Sequence, residues 1–430
     1  MTAIVGILNK KAAVMAADSA LTIINGDKPR IYNNTTKIFK LSNKYPVGVM
    51  LFNSLEFMGV PLDVLIKLYR KQRGDKPFPT LQGYVDNFID FLSKEPRLKD
   101  DKMQDRYLCS EIVTYYKNVK ESASSYLESD MENSSSDDNS QLSEEEEKAK
   151  LREALMFGIN DITRLVNAQS GKSPEFESYK FRNFLKYAKE DIDGLMDLCK
   201  EEDLPTDMRD EWEKGLYEYL CSNFFYNGTG LVFVGYGEND LFPALIPIYI
   251  SGIFDGNLRF CYSAEENEQI SNDNESAIVP FAQSDVMMTL MKGISPALRE
   301  KVDELARETV DQTKEKLLET LKNAGADKSL IDKVRETDLS EVTEKHNDQV
   351  QEFIQAEYVN GLVDTVEAFG VEDMADMAES LISITNLQRH ITASDETVGG
   401  PVDVAVITRD EGFIWLKHHD WMPKVNQRED

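Results

Sequence analysis

Two short apolar runs near the start of the sequence constrain its fold more than any other feature. Thr2–Asn9 (TAIVGILN) and Ala12–Asp18 (AAVMAAD) are built from small and β-branched residues, and only Lys10 and Lys11 separate them. Runs this short with a polar break read as a hairpin of buried strands. A loop with Asn25-Gly26-Asp27 and Pro29 follows, and further strands are expected at Lys37–Ser42 (KIFKLS) and Pro46–Phe52. The period then changes. Leu55–Arg70 is helix-compatible, with Pro61 as a local disturbance. Thr80 is placed to cap a second helix, in which Val85, Phe88, Ile89 and Leu92 fall at i, i+3, i+4 and i+7 on one face.

Residues 97–222 differ in character. They are rich in charge, and their centre, Ser129–Glu147 (SDMENSSSDDNSQLSEEEE), is acidic and of low complexity. Such a stretch cannot bury enough apolar surface to order itself, so the region reads as a helical insertion with a mobile middle. Its serines read as solvated loop residues rather than as a phosphorylation site. Strand signal returns at Gly230–Gly235, Ala244–Gly252 and Leu258–Tyr262. After Ala282–Lys292 comes a long charged helix, Ala297–Asn323, with an apolar stripe of Val302, Leu305, Ala306, Val310, Leu317, Leu318 and Leu321. Gly325 is placed to end it. Helix continues to Gln388, and Val402–Ile407, a turn at Arg409–Gly412 and Phe413–Lys417 close the sequence as a hairpin. The expected segments are therefore 1–96, 97–222 and 223–430. Strands, helices, strands, helices, strands is an α+β order, not βαβ alternation, and it favours antiparallel sheets with helices outside.

Composition narrows the partners. A chain of 430 residues is expected to divide into two or three structural units. Its net charge of -29 repels phosphate backbones and anionic lipid, so neither nucleic acid nor a membrane surface is an expected partner. Cys109, Cys199, Cys221 and Cys261 form no CxxC pair, which fits a reducing compartment and supports no zinc or thioredoxin-like motif. The opening residues lack a basic region ahead of a long apolar core and so do not read as a signal peptide. Leu241–Phe254 is broken by Pro243, Pro247 and Gly252 and is too short to span a bilayer. A cytoplasmic protein is expected. Gly228-Thr229-Gly230 and Gly235-Tyr236-Gly237 do not extend to GxGxxG and read as turns. His346 and His390 are isolated, and His418-His419 has no companion ligand in sequence, so neither a metal nor a cofactor is expected.

Three residues of the first forty carry a possible chemistry together. A threonine hydroxyl is a weak nucleophile and needs a base within reach. With Met1 removed, as methionine aminopeptidases do before small residues, the α-amine of Thr2 can be that base. An α-amine titrates near ~8, against ~10 for a lysine, so a useful fraction is neutral. A lysine beside the nucleophile favours the alkoxide and lowers the proton affinity of the amine. Lys37 opens one expected strand, and Asp18, which ends another, can hold it.

Thr2-Ala-Ile-Val-Gly-Ile, Val14-Met-Ala-Ala-Asp18-Ser19 and Lys37-Ile-Phe-Lys-Leu together resemble the opening of proteasome β-type subunits and their bacterial relatives, which are N-terminal-nucleophile hydrolases. The spacing from Thr2 to Asp18 matches. The loop to Lys37 is a few residues longer, and Ala20 stands where an arginine is common. The resemblance implies a four-layer αββα sandwich and threonine-dependent hydrolysis of peptide amides. It also implies an oxyanion donor after the fourth strand, where Phe52-Asn53-Ser54 makes Asn53 or Ser54 the backbone candidate. Near the C-terminal strand, Ser394-Asp395-Glu396-Thr397-Val398-Gly399-Gly400 supplies the family aspartate as Asp395. Val398 occupies the position of the supporting serine, with Thr397 beside it, and Ser284 is the loose counterpart of a second one. Family members work in rings, so self-association is implied, and the resemblance allows a companion ATP-dependent unfoldase. Two alternatives stay open: a catalytically silent scaffold on the same fold, and an amidase for a small molecule.

Overall fold

The computed structural model describes residues 2–25, 28–32, 35–133, 143–169, 171–199, 204–392 and 399–419. In chain order, β1 (Ala3–Asn9), β2 (Ala13–Asp18), β3 (Leu21–Asn25), β4 (Lys28–Tyr32), β5 (Ile38–Lys40) and β6 (Val47–Phe52) come first. A minimal hairpin, β7 (Glu56–Phe57) and β8 (Val60–Pro61), leads into helices α1 (Leu62–Arg73) and α2 (Leu81–Lys94). Five more helices follow: α3 (Asp101–Asn133), α4 (Glu144–Ala168), α5 (Phe181–Tyr187), α6 (Lys189–Leu198) and α7 (Arg209–Cys221). Then come β9 (Thr229–Gly235), β10 (Ala244–Phe254), β11 (Asn257–Tyr262), β12 (Glu268–Gln269) and β13 (Ser276–Ala282). The last helices are α8 (Asp285–Lys292), α9 (Pro296–Asn323), α10 (Lys328–Glu336), α11 (Ser340–Ile354), α12 (Asn360–Ala368) and α13 (Val371–Ile391), before β14 (Val402–Thr408) and β15 (Gly412–Lys417). The architecture is α+β with antiparallel strand pairing, as the order of periodicities predicts.

The chain forms two compact units, one of residues 1–52, 234–245 and 268–430, the other of residues 53–233 and 246–267. Segments 1–96 and 223–430 of the sequence each contribute to both. In the first unit, β1 and β2 make the expected hairpin, with Ile4 opposite Ala17 and Leu8 opposite Ala13. They lie inside a five-stranded sheet of order β13-β1-β2-β14-β15. Every residue of both strands is buried, which explains why their sequences show no polar alternation.

One face of this sheet (Ala3, Val5, Ile7, Val14, Ala16, Val404 and Val406 among others) packs on Met287 of α8, Val366 of α12 and Met374, Ala378 and Ile382 of α13. The other face meets β6: a Cβ at Gly6 would lie 3.7 Å from Met50 Cε, and one at Gly48 only 2.6 Å from Met15 Cε. Glycine is thus used where a methionine side chain of the facing layer takes up the space beside a Cβ position. Gly235 has a stronger constraint. Its φ is +140°, and a Cβ there would fall 2.0 Å from the backbone oxygen of Pro46. That oxygen accepts the Tyr236 N–H at 3.0 Å, so it cannot move aside freely. Gly235→Ala is therefore expected to destabilise the first unit by roughly 3 kcal/mol or more, read from urea unfolding; a wild-type midpoint would contradict this account of the contact.

Several local expectations need correction. Asn25 and Pro29, read as parts of a plain loop, lie in the paired strands β3 and β4, with Leu21 opposite Tyr32. Asn-Gly between strand-forming residues is itself a hairpin signal. Helix α1 begins at Leu62, not Leu55, with Pro61 as its N-cap: proline tolerates a helix start but not its interior. Strand β13 was hidden by Pro280, which a sheet interior would reject. It lies at the edge of the five-stranded sheet, where the missing N–H costs little. The apolar stripe of α9 does not mark a core face, because no residue of that helix is buried. Other readings hold. Thr80 Oγ1 accepts the Gly83 N–H at 3.3 Å as the cap of α2, and Val85, Phe88, Ile89 and Leu92 are all buried. Gly325 follows α9 at φ +71°, and β14 and β15 form the closing hairpin.

In the second unit, α3, α4 and α7 share an apolar core that includes Ile112, Tyr115, Ile159, Trp212 and Leu216. Arg259 of β11 is fully buried. Its guanidinium donates to Glu111 Oε2 of α3 at 2.9 Å and to the backbone oxygens of Tyr219 and Phe224. Of the acidic stretch Ser129–Glu147, read as unable to order itself, residues 129–133 instead end α3 and residues 144–147 open α4 behind a Ser143–Glu146 capping box, because capping and helix propagation need no buried face. Residues 134–142 lie outside the described residues. No helix among the described residues is long and apolar enough to cross a membrane. All four cysteines are free thiols.

Candidate active site

The first unit brings Thr2, Asp18 and Lys37 together. Asp18 ends β2, opposite Val402 of β14, and the β1–β2 register continued by one residue sets Ala3 against it. Lys37 immediately precedes β5, and its backbone oxygen accepts the Leu51 N–H at 2.8 Å, which fixes it to β6. The Asp18 and Lys37 side chains thus pair beside the backbone of Thr2 and Ala3 because two strand ends and a strand start meet there.

The Asp18 carboxylate organises the site. Its Oδ1 accepts the Ala3 N–H at 2.8 Å and the Lys37 ammonium at 2.7 Å. Its Oδ2 accepts the N–H groups of Ala20 at 3.2 Å and Gly399 at 3.3 Å. Asp18 and Lys37 are each about 1 % exposed. Taking two charges out of water is costly, and only a pair with its remaining hydrogen-bonding capacity satisfied makes such burial tolerable. Burial lowers the proton affinity of Lys37 below that of an ordinary lysine. The Asp18 charge and hydrogen bond oppose this shift, and the more distant charge of Asp403 in β14 opposes it weakly.

Thr2 is itself buried, at 4 % exposure. Its peptide is held on both sides: the Thr2 backbone oxygen accepts the Gln283 N–H at 3.1 Å, and the next N–H, of Ala3, goes to Asp18. Because Asp18 Oδ1 is shared, the Lys37 ammonium lies no more than two hydrogen-bond lengths from the Ala3 nitrogen. Gln283 follows Ala282, which adopts a left-handed φ of +62°, and precedes Ser284, the N-cap residue of α8. Ser284 is thereby one residue from the backbone that pins Thr2.

The remaining expected residues are placed differently. Asn53, expected as an oxyanion donor, is the first residue of the second unit. It has a φ of +68°, and its side-chain amide donates to the Gly228 oxygen at 3.0 Å. Asp395, Thr397 and Val398 lie outside the described residues. Sequence reasoning missed Gly399, whose N–H reaches Asp18, and Asp403, the buried carboxylate whose charge acts on Lys37. A signal for Asp403 was present: an aspartate inside the otherwise apolar VDVAVI strand needs a reason to be there. No protein-family model matches this chain, and no curated protein matches it.

Proposed function

We propose that the first unit carries a threonine-dependent amidohydrolase site, with Thr2 made N-terminal by removal of Met1. The observation that carries this reading is the shared Asp18 Oδ1, which binds Lys37 and the peptide immediately after Thr2. One carboxylate thereby orients the cation and fixes the nucleophile's backbone.

In this mechanism Thr2 Oγ attacks an amide carbonyl carbon as its proton passes to the freed α-amine, directly or through a water. Lys37 stabilises the alkoxide character of Oγ and keeps the amine from holding its proton too tightly. Collapse of the tetrahedral intermediate expels the amine product, protonated by the same α-ammonium, and leaves an ester on Thr2. Water, deprotonated by the α-amine, then hydrolyses that ester and restores the free hydroxyl. The oxyanion needs a backbone donor.

A four-layer αββα sandwich belongs to the same reading. It is supported by helices on one face of the five-stranded sheet and strand β6 on the other. A peptide or protein substrate, self-association and a cytoplasmic setting are proposed with it, and an ATP-dependent unfoldase is a further candidate partner. The competing reading, a silent scaffold, draws on Val398 in place of the supporting serine.

The two readings part on a mass measurement. The untagged protein is expected to lack Met1 and to gain one adduct from a threonine-directed electrophile, located by peptide mapping at Thr2. A protein that retains Met1 cannot use the α-amine as base.

A further inference from the structure

Asp403, whose charge also acts on Lys37, presents a second arrangement of chemistry-bearing groups. It lies in β14 opposite Ala17 of β2 and is about 1 % exposed. The sequence gives His418-His419 no companion ligand; the fold corrects this by bringing both against Asp403. Asp403 Oδ1 accepts the His419 backbone N–H at 2.8 Å, and it also lies 2.8 Å from His419 Nδ1 and 3.3 Å from His418 Nδ1. Its other oxygen, Oδ2, is buried with no hydrogen-bond partner among the described residues.

Hydrogen bonding accounts poorly for this pattern. Two ring nitrogens and one amide crowd a single oxygen while its equivalent in the same carboxylate is left bare, and a buried bare acceptor is costly. A cation resolves the crowding, because it accepts lone pairs from the two Nδ1 atoms and from the carboxylate, and it engages the second oxygen as well when the carboxylate binds it through both. The spacing suits a small ion. A tetrahedral ion with bonds of about 2.0–2.1 Å holds adjacent ligand atoms roughly 3.3 Å apart. One ligand atom from each of the three residues lies within 4.8 Å of the others, so side-chain adjustments of about 1.5 Å or less would close the site. The His418 ring is stacked on Trp415 at a centroid distance of 4.2 Å, which limits its rotation. The side chains of His418 and His419 are 27 % and 11 % exposed, so an ion can reach them from solvent.

We propose that Asp403, His418 and His419 form a binding site for a divalent transition-metal ion of the zinc type, with two imidazole Nδ1 atoms and one carboxylate as protein ligands. Borderline imidazole donors with a single carboxylate favour such an ion over calcium or magnesium, which prefer all-oxygen sites. The ion would tie the segment after β15 to the buried strand β14, without any cysteine.

The test uses the full chain, reduced and stripped of metal, titrated with Zn2+ by calorimetry and with Co2+ by visible absorption. One equivalent of each is expected, with Co2+ bands of a four-coordinate nitrogen and oxygen site and no thiolate charge-transfer band. His418→Ala and His419→Ala should each weaken Zn2+ binding by more than about tenfold, since losing even a supporting partner of a ligand costs ~10–100-fold. Absence of stoichiometric binding to the wild type overturns the proposal, as does a loss below about tenfold in the double variant or a thiolate band. Asp403→Asn is buried and can fail to fold; the partly exposed histidines decide the matter without it.

Discussion

Thr2→Ala is expected to lower amide hydrolysis by on the order of 10⁴-fold or more, because removal of a nucleophile leaves only binding and oxyanion stabilisation. The same change should leave the fold intact. The backbone bonds that hold this residue, from Gln283 N–H to its oxygen and from Ala3 N–H to Asp18, do not involve its side chain. A stability change under about 1 kcal/mol is expected by urea unfolding. Thr2→Ser keeps the hydroxyl and should retain measurable turnover. Turnover of a fluorogenic peptide amide by the Thr2→Ala protein at the wild-type rate would remove the enzymatic reading and leave the scaffold.

Asp18→Ala should produce the largest loss of stability at the site, about 3–5 kcal/mol, since it strands a buried ammonium. It also leaves the N–H groups of Ala3, Ala20 and Gly399 without their acceptor. Lys37→Met should cost less, because the carboxylate keeps those three donors. The double variant should be more stable than Asp18→Ala alone, since a neutral side chain of similar length replaces the stranded charge. An Asp18→Ala protein no less stable than Lys37→Met would contradict this ranking.

Lys37 also sets a sign for the pH dependence. Its proton affinity in the folded state is below the ordinary value of 10.5, chiefly through burial. Between that lowered value and 10.5 the unfolded chain holds a proton at Lys37 that the folded chain has released. The Lys37 contribution to stability therefore rises with pH across that window and is least favourable below it. The difference between wild type and Lys37→Met isolates it, because both share every other titrating group. A difference that moves the other way with pH would overturn the assignment of burial as the dominant cause.

How much was legible in the sequence can be read from particular residues. The β1–β2 hairpin, the helix face of Val85, Phe88, Ile89 and Leu92, the Thr80 cap and the closing hairpin were all readable, because each depends on local period or on a capping side chain. The stripe of α9 misled, because periodicity records what could be buried and not whether a partner exists. Strand β13 was hidden, because proline is forbidden only in a sheet interior and the sequence does not show which strands are edges.

The same division runs through the two sites. The sequence by itself determined which residue types were available: a threonine after Met1, a carboxylate ending one buried strand, a lysine opening another, and a pair of histidines after the last. Only the tertiary structure decided their meetings. One oxygen of Asp18 joins Lys37 to the peptide after Thr2, and Asp403 meets His418 and His419 across the β14–β15 hairpin. The physical reason is that burial turns each such meeting into a requirement. A carboxylate in water needs no partner, whereas one excluded from it must find donors or cations, and which ones it finds is set by strand register and layer packing rather than by sequence spacing.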